Sequence, residues 1–163
     1  MQISDAKQML ERELNIVKGE FEAYHFARTS NASLENIDKK IHEMKFGPED
    51  PYTASFLLGL RSAKKIIQEA GNSTGSFKPS IQYPTKAEFD LYWKAQPLAG
   101  KIDGLSFAIS NPQSEAIAKE IQRIGNLVDG SEVYKTKNSP GVYQEGYLSG
   151  LNKAQAVLST IKE

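Results

Sequence analysis

Two stretches of the chain, FLLGLRSAKKII at 56–67 and YLSGLNKAQAVL at 147–158, share one order of residue types. Each reads aromatic, Leu, any residue, Gly, Leu, two variable positions, Ala, two variable positions, two aliphatics. Tyr52 and Tyr143 stand four residues before the respective aromatics. The apolar positions recur at helical spacing, so both stretches read as helices. Glycine inside a helix costs about 1 kcal/mol against alanine. Gly59 and Gly150 therefore want a structural reason, and the simplest is a close crossing with another helix at each point. The stretches lie 91 residues apart, either as an internal duplication or as two helices converging on one way of packing. In both cases the helices 52–70 and 140–162 should form the spine of a helical bundle.

The N-terminal segment supplies a third long helix. Ile3, Leu10, Val17 and Tyr24 repeat every seven residues, with Leu14 and Phe21 between them and Ser4 available as a cap. This is a coiled-coil-like seam, too short to stand free, so it should pack on other helices or on a second copy of the chain. Ser33 opens the next helix, with Leu34, Ile37, Ile41 and Met44 on one face and Gly47-Pro48 ending it. Asp50 and Pro51 cap and start the helix that carries Phe56, Leu60, Ala63 and Ile67.

Residues 71–84, GNSTGSFKPSIQYP, are dense in Gly, Ser and Pro. The expectation is one domain over 1–163, with a three-helix half 1–71, a linker 72–83 and a second half 84–163. Thr85 and Glu88 form a capping box that opens a short aromatic helix, which Pro97 is expected to stop. Beyond it, Leu105, Phe107 and Ile109 alternate with Ser106, Ala108 and Ser110, the two-residue period of a strand. A helix with Ile117, Ile121, Ile124 and Leu127 follows, then SEVYKTK as a second strand, with SIQY at 80–83 as a candidate third. The predicted fold class is mainly α, with a small βαβ element in the C-terminal half that makes it α+β. A helix over 98–110 is the competing reading.

Composition narrows the chemistry. Twenty basic residues cancel twenty acidic ones in 163, so no global field draws the chain to nucleic acid or an anionic membrane. The absence of cysteine removes disulfides, thiolate catalysis and cysteine zinc sites. The charged first turn and the lack of any run of about 18 apolar residues predict a cytoplasmic protein without a membrane partner.

GNSTG fits G-x-S-x-G, but a nucleophile elbow needs a strand before the serine and a helix after it. Here a helix precedes Ser73 and a proline-containing linker follows. Neither G-x-x-x-x-G-K-[ST] nor G-x-G-x-x-G occurs. Glu22 and His25 form one E-x-x-H, while His42 has Lys39 where a second glutamate would stand. We therefore expect no catalytic residues, no metal and no cofactor.

The uneven feature is electrostatic. Arg61, Lys64, Lys65, Lys78, Lys86, Lys94 and Lys101 are opposed only by Glu69, Glu88 and Asp90 over 61–101, with Phe77, Tyr83, Phe89, Tyr92 and Trp93 interleaved. Residues 1–50 lean acidic, and the two regions should attract each other, within one subunit or between two. Arg61, Lys64, Lys65, Tyr92, Trp93 and Lys94 are the candidate contacts to a partner. Cations beside aromatics also suit single-stranded nucleic acid. Ser110, Asn111 and Ser114, at a strand-to-helix junction, are a candidate anion site.

Residues 143–158, YQEGYLSGLNKAQAVL, and more faintly 52–67, resemble the C-terminal helices of small, mostly uncharacterised proteins of phages and prophages of Gram-positive bacteria. That resemblance implies a phage or prophage origin and carries no site residues. The expected function is a non-enzymatic protein-binding or inhibitory module that occludes a host macromolecule, forming a homodimer through the heptad helix. The alternatives are a nucleic-acid binder using 61–101 and a binder or enzyme for a small anion at 104–137.

Overall fold

A computed structural model of the chain describes residues 2–72, 77–130 and 140–160. Among them are six α-helices and no strand: α1 (Ile3–Thr29), α2 (Leu34–Met44), α3 (Pro51–Asn72), α4 (Lys86–Ser110), α5 (Ser114–Gly130) and α6 (Pro140–Leu158). The caps that the sequence signals are in place. Ser33 Oγ accepts from the Asn36 amide at 3.2 Å, Asp50 Oδ1 from the Thr53 amide at 2.7 Å, and Thr85 Oγ1 from the Glu88 amide at 3.2 Å. At the first helix the start lies one residue earlier than Ser4, and Asp5 takes the Gln2 amide instead.

The βαβ element is not present in the described residues. Residues 98–110, expected as a strand, continue α4, and 80–83 form a turn in which the Ser80 and Tyr83 backbones bond at 3.1 Å. SEVYKTK, at 131–137, and Ser73–Gly75 lie outside the described residues. The alternation that suggested a strand has another cause: this stretch of α4 is apolar on several faces. Leu105 and Ala108 are fully buried, while Leu98, Ile102, Phe107 and Ile109 pack around the same core. Leu98, Ile102, Leu105 and Ile109 also follow helical spacing. Ser106 fits within the helix because its hydroxyl donates back to the Ile102 carbonyl at 2.7 Å.

Pro97 does not stop α4 either. It removes one intrahelical bond to the Trp93 carbonyl, but buried Leu91 and Ala95 before it and Leu105 and Ala108 after it hold the helix on both sides.

The chain divides into two compact units, and the division does not fall at the linker. One unit takes residues 1–17 and 96–163; the other is Lys18–Ala95. Each long helix, α1 and α4, thus contributes to both. In the first unit, Ala6, Leu10 and Val17 join Leu105, Ala108, Ile117, Leu151, Ala154, Val157 and Leu158 in one core. In the second, Ala23, Tyr24, Ala27, Ile37, Phe56, Leu60, Ala63, Leu91 and Ala95 are buried.

The two units repeat one set of contacts. In the second, a Cβ on Gly19 would lie against the Tyr52 carbonyl, and one on Gly59 would meet Glu20 and Ala23. In the first, Gly100 meets the Tyr143 carbonyl, and Gly150 meets Lys101 and Leu105. The Tyr52 hydroxyl donates to Glu22, and that of Tyr143 to Asp103. Leu10 corresponds to Leu91, and Ile37 to Ile117, all fully buried. The likeness of 56–67 to 147–158 therefore extends to the helices that these segments cross. The helix crossings expected at Gly59 and Gly150 are present.

Candidate interaction surface

The second unit carries an aromatic corner built by three segments: the end of α1, the connection before α4 and the first turns of α4. Thr85 caps α4, which projects Phe89, Tyr92 and Trp93 at helical spacing. The Ser80–Tyr83 turn, closed a second time by Ser80 Oγ accepting the Tyr83 amide at 3.0 Å, brings Tyr83 back onto them. Tyr83 lies edge-on to Phe89 at 5.4 Å between ring centroids and 5.1 Å from Tyr92; Phe77 lies 5.6 Å from Phe89. Trp93 meets Tyr92 nearly perpendicularly at 5.2 Å and Phe89 at 6.0 Å with the rings inclined by 66°. The buried Trp93 Nε1 has no acceptor among the described residues.

Arg28, in the last turn of α1, sets its guanidinium 4.9 Å from the Tyr92 centroid and 5.8 Å from that of Tyr83. Such cation–π contacts contribute about 0.5–2 kcal/mol. Burial raises the Tyr83 pKa, the hydrogen bond with Tyr92 raises it further, and the Arg28 charge opposes both. Phe77, Lys78, Tyr83, Lys86, Phe89 and Asp90 line a cavity of about 430 Å³ beside this cluster. Lys86 pairs with Asp90 at 2.6 Å across one helical turn. Lys78 is exposed, and neither it nor Arg28 forms an ion pair among the described residues.

Of the candidate contacts read from the sequence, Tyr92 and Trp93 belong to this corner, and Lys94 is exposed on the same helix. Arg61, Lys64 and Lys65 lie on α3, and none lines the cavity. Lys64 is held by Asp38 at 2.8 Å, and Lys101 by Glu13 at 3.2 Å. The basic stretch and the acidic N-terminal region do attract each other, and this takes charge out of the patch. Sequence reasoning missed Arg28. It is remote in sequence from the aromatics it covers, and no local count could connect them.

With 98–110 helical, Ser110, Asn111 and Ser114 stand at a corner between two helices rather than at a strand end. Ser110 and Ser114 are exposed, and the Asn111 amide is bound to the Phe107 carbonyl at 3.0 Å. Glu22 accepts from Tyr52, while His25 stacks on Phe21 at 6.4 Å. No group of three or more metal-binding side chains occurs among the described residues. In the first unit, Tyr147 donates to Glu120 at 2.8 Å, and Glu120 also pairs with Arg123. Burial and the carboxylate bond push the Tyr147 pKa far up, so its phenol stays protonated and serves as a donor. Hydrogen bonding by Arg123, aided by Tyr147, holds Glu120 below its usual value against the effect of burial.

No helix among the described residues is long and apolar enough to cross a membrane. The heptad seam is occupied within the chain: Leu10, Val17 and Tyr24 are buried, which leaves Ile3 and Met9 exposed on α1. Comparison with protein-family models, with curated proteins and with solved structures finds no match.

Proposed function

We propose that the protein is a non-enzymatic binding module that engages a protein partner through the aromatic corner of its second unit. The observation that carries this reading is the uneven use of a repeated framework. At the start of α4 stand Phe89, Tyr92 and Trp93; at the corresponding positions at the start of α1 stand Gln8, Glu11 and Arg12. The framework folds with polar residues there, so packing alone does not call for the aromatics. Tyr, Trp and Arg are also the residue types that dominate binding energy at protein interfaces. Ile81, fully exposed in the segment that leads to Tyr83, extends the apolar footprint.

Occlusion of a host macromolecule by a phage-derived protein is the mode of action consistent with the resemblance of residues 143–158. A nucleic-acid partner is less well supported, since Lys64, Lys86 and Lys101 are already paired with carboxylates. A homodimer zipped by α1 is disfavoured, because the seam residues Leu10, Val17 and Tyr24 are buried within the chain.

A photo-crosslinking residue placed at Ile81, compared with one at exposed Leu58, tests the surface in cells. The expected result is one discrete protein adduct at 81, absent at 58 and reduced at least tenfold by Tyr92→Ala. Equal labelling from both positions, or labelling of nucleic acid, refutes the assignment.

A further inference from the structure

We infer that the cavity at the start of α4 receives a single aromatic side chain flanked by carboxylates, that is, an acidic peptide segment carrying a Phe, Tyr or Trp. This rests on the reading of the aromatic corner as the partner surface and adds the chemistry of what enters it.

Three observations lead there. The first is the shape of the walls. Phe77 and Phe89 are tilted by 52°, and Tyr83 stands at 85° to Phe89. Rings set at such angles form a socket in which one further ring finds edges and faces around it, the favoured geometry for aromatic contacts. They offer no row of parallel faces on which successive bases stack, which is the platform that single-stranded nucleic acid uses.

The second is size. A cavity of about 430 Å³ holds one large side chain and its neighbours, and lies within the range of sites that enclose a small ligand.

The third is charge. Asp90 balances Lys86, but Lys78, which lines the cavity, and Arg28, which lies over the rings of Tyr83 and Tyr92, have no carboxylate partner among the described residues. An aromatic residue alone would fill the socket and leave these cations unanswered. Acidic neighbours on the incoming segment answer them, and basic neighbours would be repelled.

Trp93 is the only tryptophan of the chain and touches Phe89, a wall of the cavity, so its emission reports occupancy directly. The 163-residue protein is titrated at low salt with the blocked peptide Glu-Glu-Phe-Glu-Glu. The comparison probes are Lys-Lys-Phe-Lys-Lys, Glu-Glu-Ala-Glu-Glu and a ten-residue oligothymidylate. Calorimetry runs in parallel, so that binding without a fluorescence change is still seen.

Saturable binding of the acidic phenylalanine peptide is expected, at least tenfold tighter than either control peptide and weakening as salt rises. Lys78→Glu and Tyr83→Ala, each checked for native helicity, should both reduce it at least tenfold. Lys78 is exposed and forms no ion pair among the described residues, so its substitution leaves the fold intact. Equal binding of the lysine-flanked peptide overturns the charge argument, and equal binding of the alanine peptide overturns the socket. Tighter binding of the oligonucleotide overturns the inference in favour of nucleic acid. If no peptide binds while the crosslink from position 81 to a protein persists, the ligand chemistry is wrong and the surface stands. If both fail, neither stands.

Discussion

A tyrosine hydroxyl anchored on a carboxylate of the neighbouring helix recurs in this protein, at Tyr52 with Glu22, Tyr143 with Asp103 and Tyr147 with Glu120. Burial, followed by the bond to Asp103 and its charge, raises the Tyr143 pKa to about 12. A group whose folded pKa is raised holds its proton in the native state after the unfolded chain has begun to release it. Its stabilisation is complete below the ordinary tyrosine value near 10 and is lost as pH rises through about 12. Urea unfolding at pH 9, 10 and 11 should show stability falling over this window, and Tyr143→Phe should flatten the fall relative to the unchanged protein. Parallel curves would remove the pair from the account. A second test concerns backbone strain. Ala32 sits in the left-handed region at φ 54°, in the corner between α1 and α2, where its amide bonds the Ala27 carbonyl at 2.9 Å. Ala32→Gly relieves a strain of about 1 kcal/mol, in part offset by greater freedom of the unfolded chain. Thermal denaturation should show a small rise in Tm. These details show how far the candidate surface was legible. Tyr92 and Trp93 announce themselves as aromatics on one helix, and Thr85 as its cap. Arg28 and the pairing of Lys64 with Asp38 depend on contacts between remote segments that a linear count cannot see.

The helices meet through glycine. A methyl group on Gly100 would overlap the Tyr143 carbonyl, and one on Gly146 the Pro97 carbonyl. Alanine is the better helix former by about 1 kcal/mol, yet here it must push two backbones apart. Gly100→Ala should therefore destabilise by about 1–3 kcal/mol. Gly125, inside α5 with nothing near its missing side chain, provides the contrast. Gly125→Ala should stabilise by about 1 kcal/mol or less, a Tm rise of roughly 2–4 °C in a chain of this size. Calorimetry of the two variants side by side decides whether crossing or propensity governs each position. Element boundaries were legible where a cap marks them, as at Ser33, Asp50 and Thr85. They were misread where two periods coexist. Over 105–110 the alternation of apolar with small residues satisfies a strand, and the same residues with Leu98 and Ile102 satisfy a helix. The longer pattern prevails because α4 is embedded in the core along this stretch.

At the scale of the molecule, α1 and α4 each serve both units, so the units should not unfold independently. Leu10 belongs to the core of the first unit, and Trp93 lies in the second. Leu10→Ala should cost about 2–5 kcal/mol, and the emission of Trp93 should record the full loss together with far-ultraviolet circular dichroism. A melt in which Trp93 is unaffected would show that the shared helices do not couple the units. Sharing has a consequence for the covalent chain. The exposed run from Lys78 to Gln82 joins a piece with α1, α2 and α3 to a piece with α4, α5 and α6. Neither piece can complete a unit without the other. A protease site engineered after Ile81 should thus yield a clipped protein that elutes where the uncut protein does and separates into two bands only in denaturant. The same property makes the pieces, expressed apart, a natural split pair, silent alone and restored to one body when they meet.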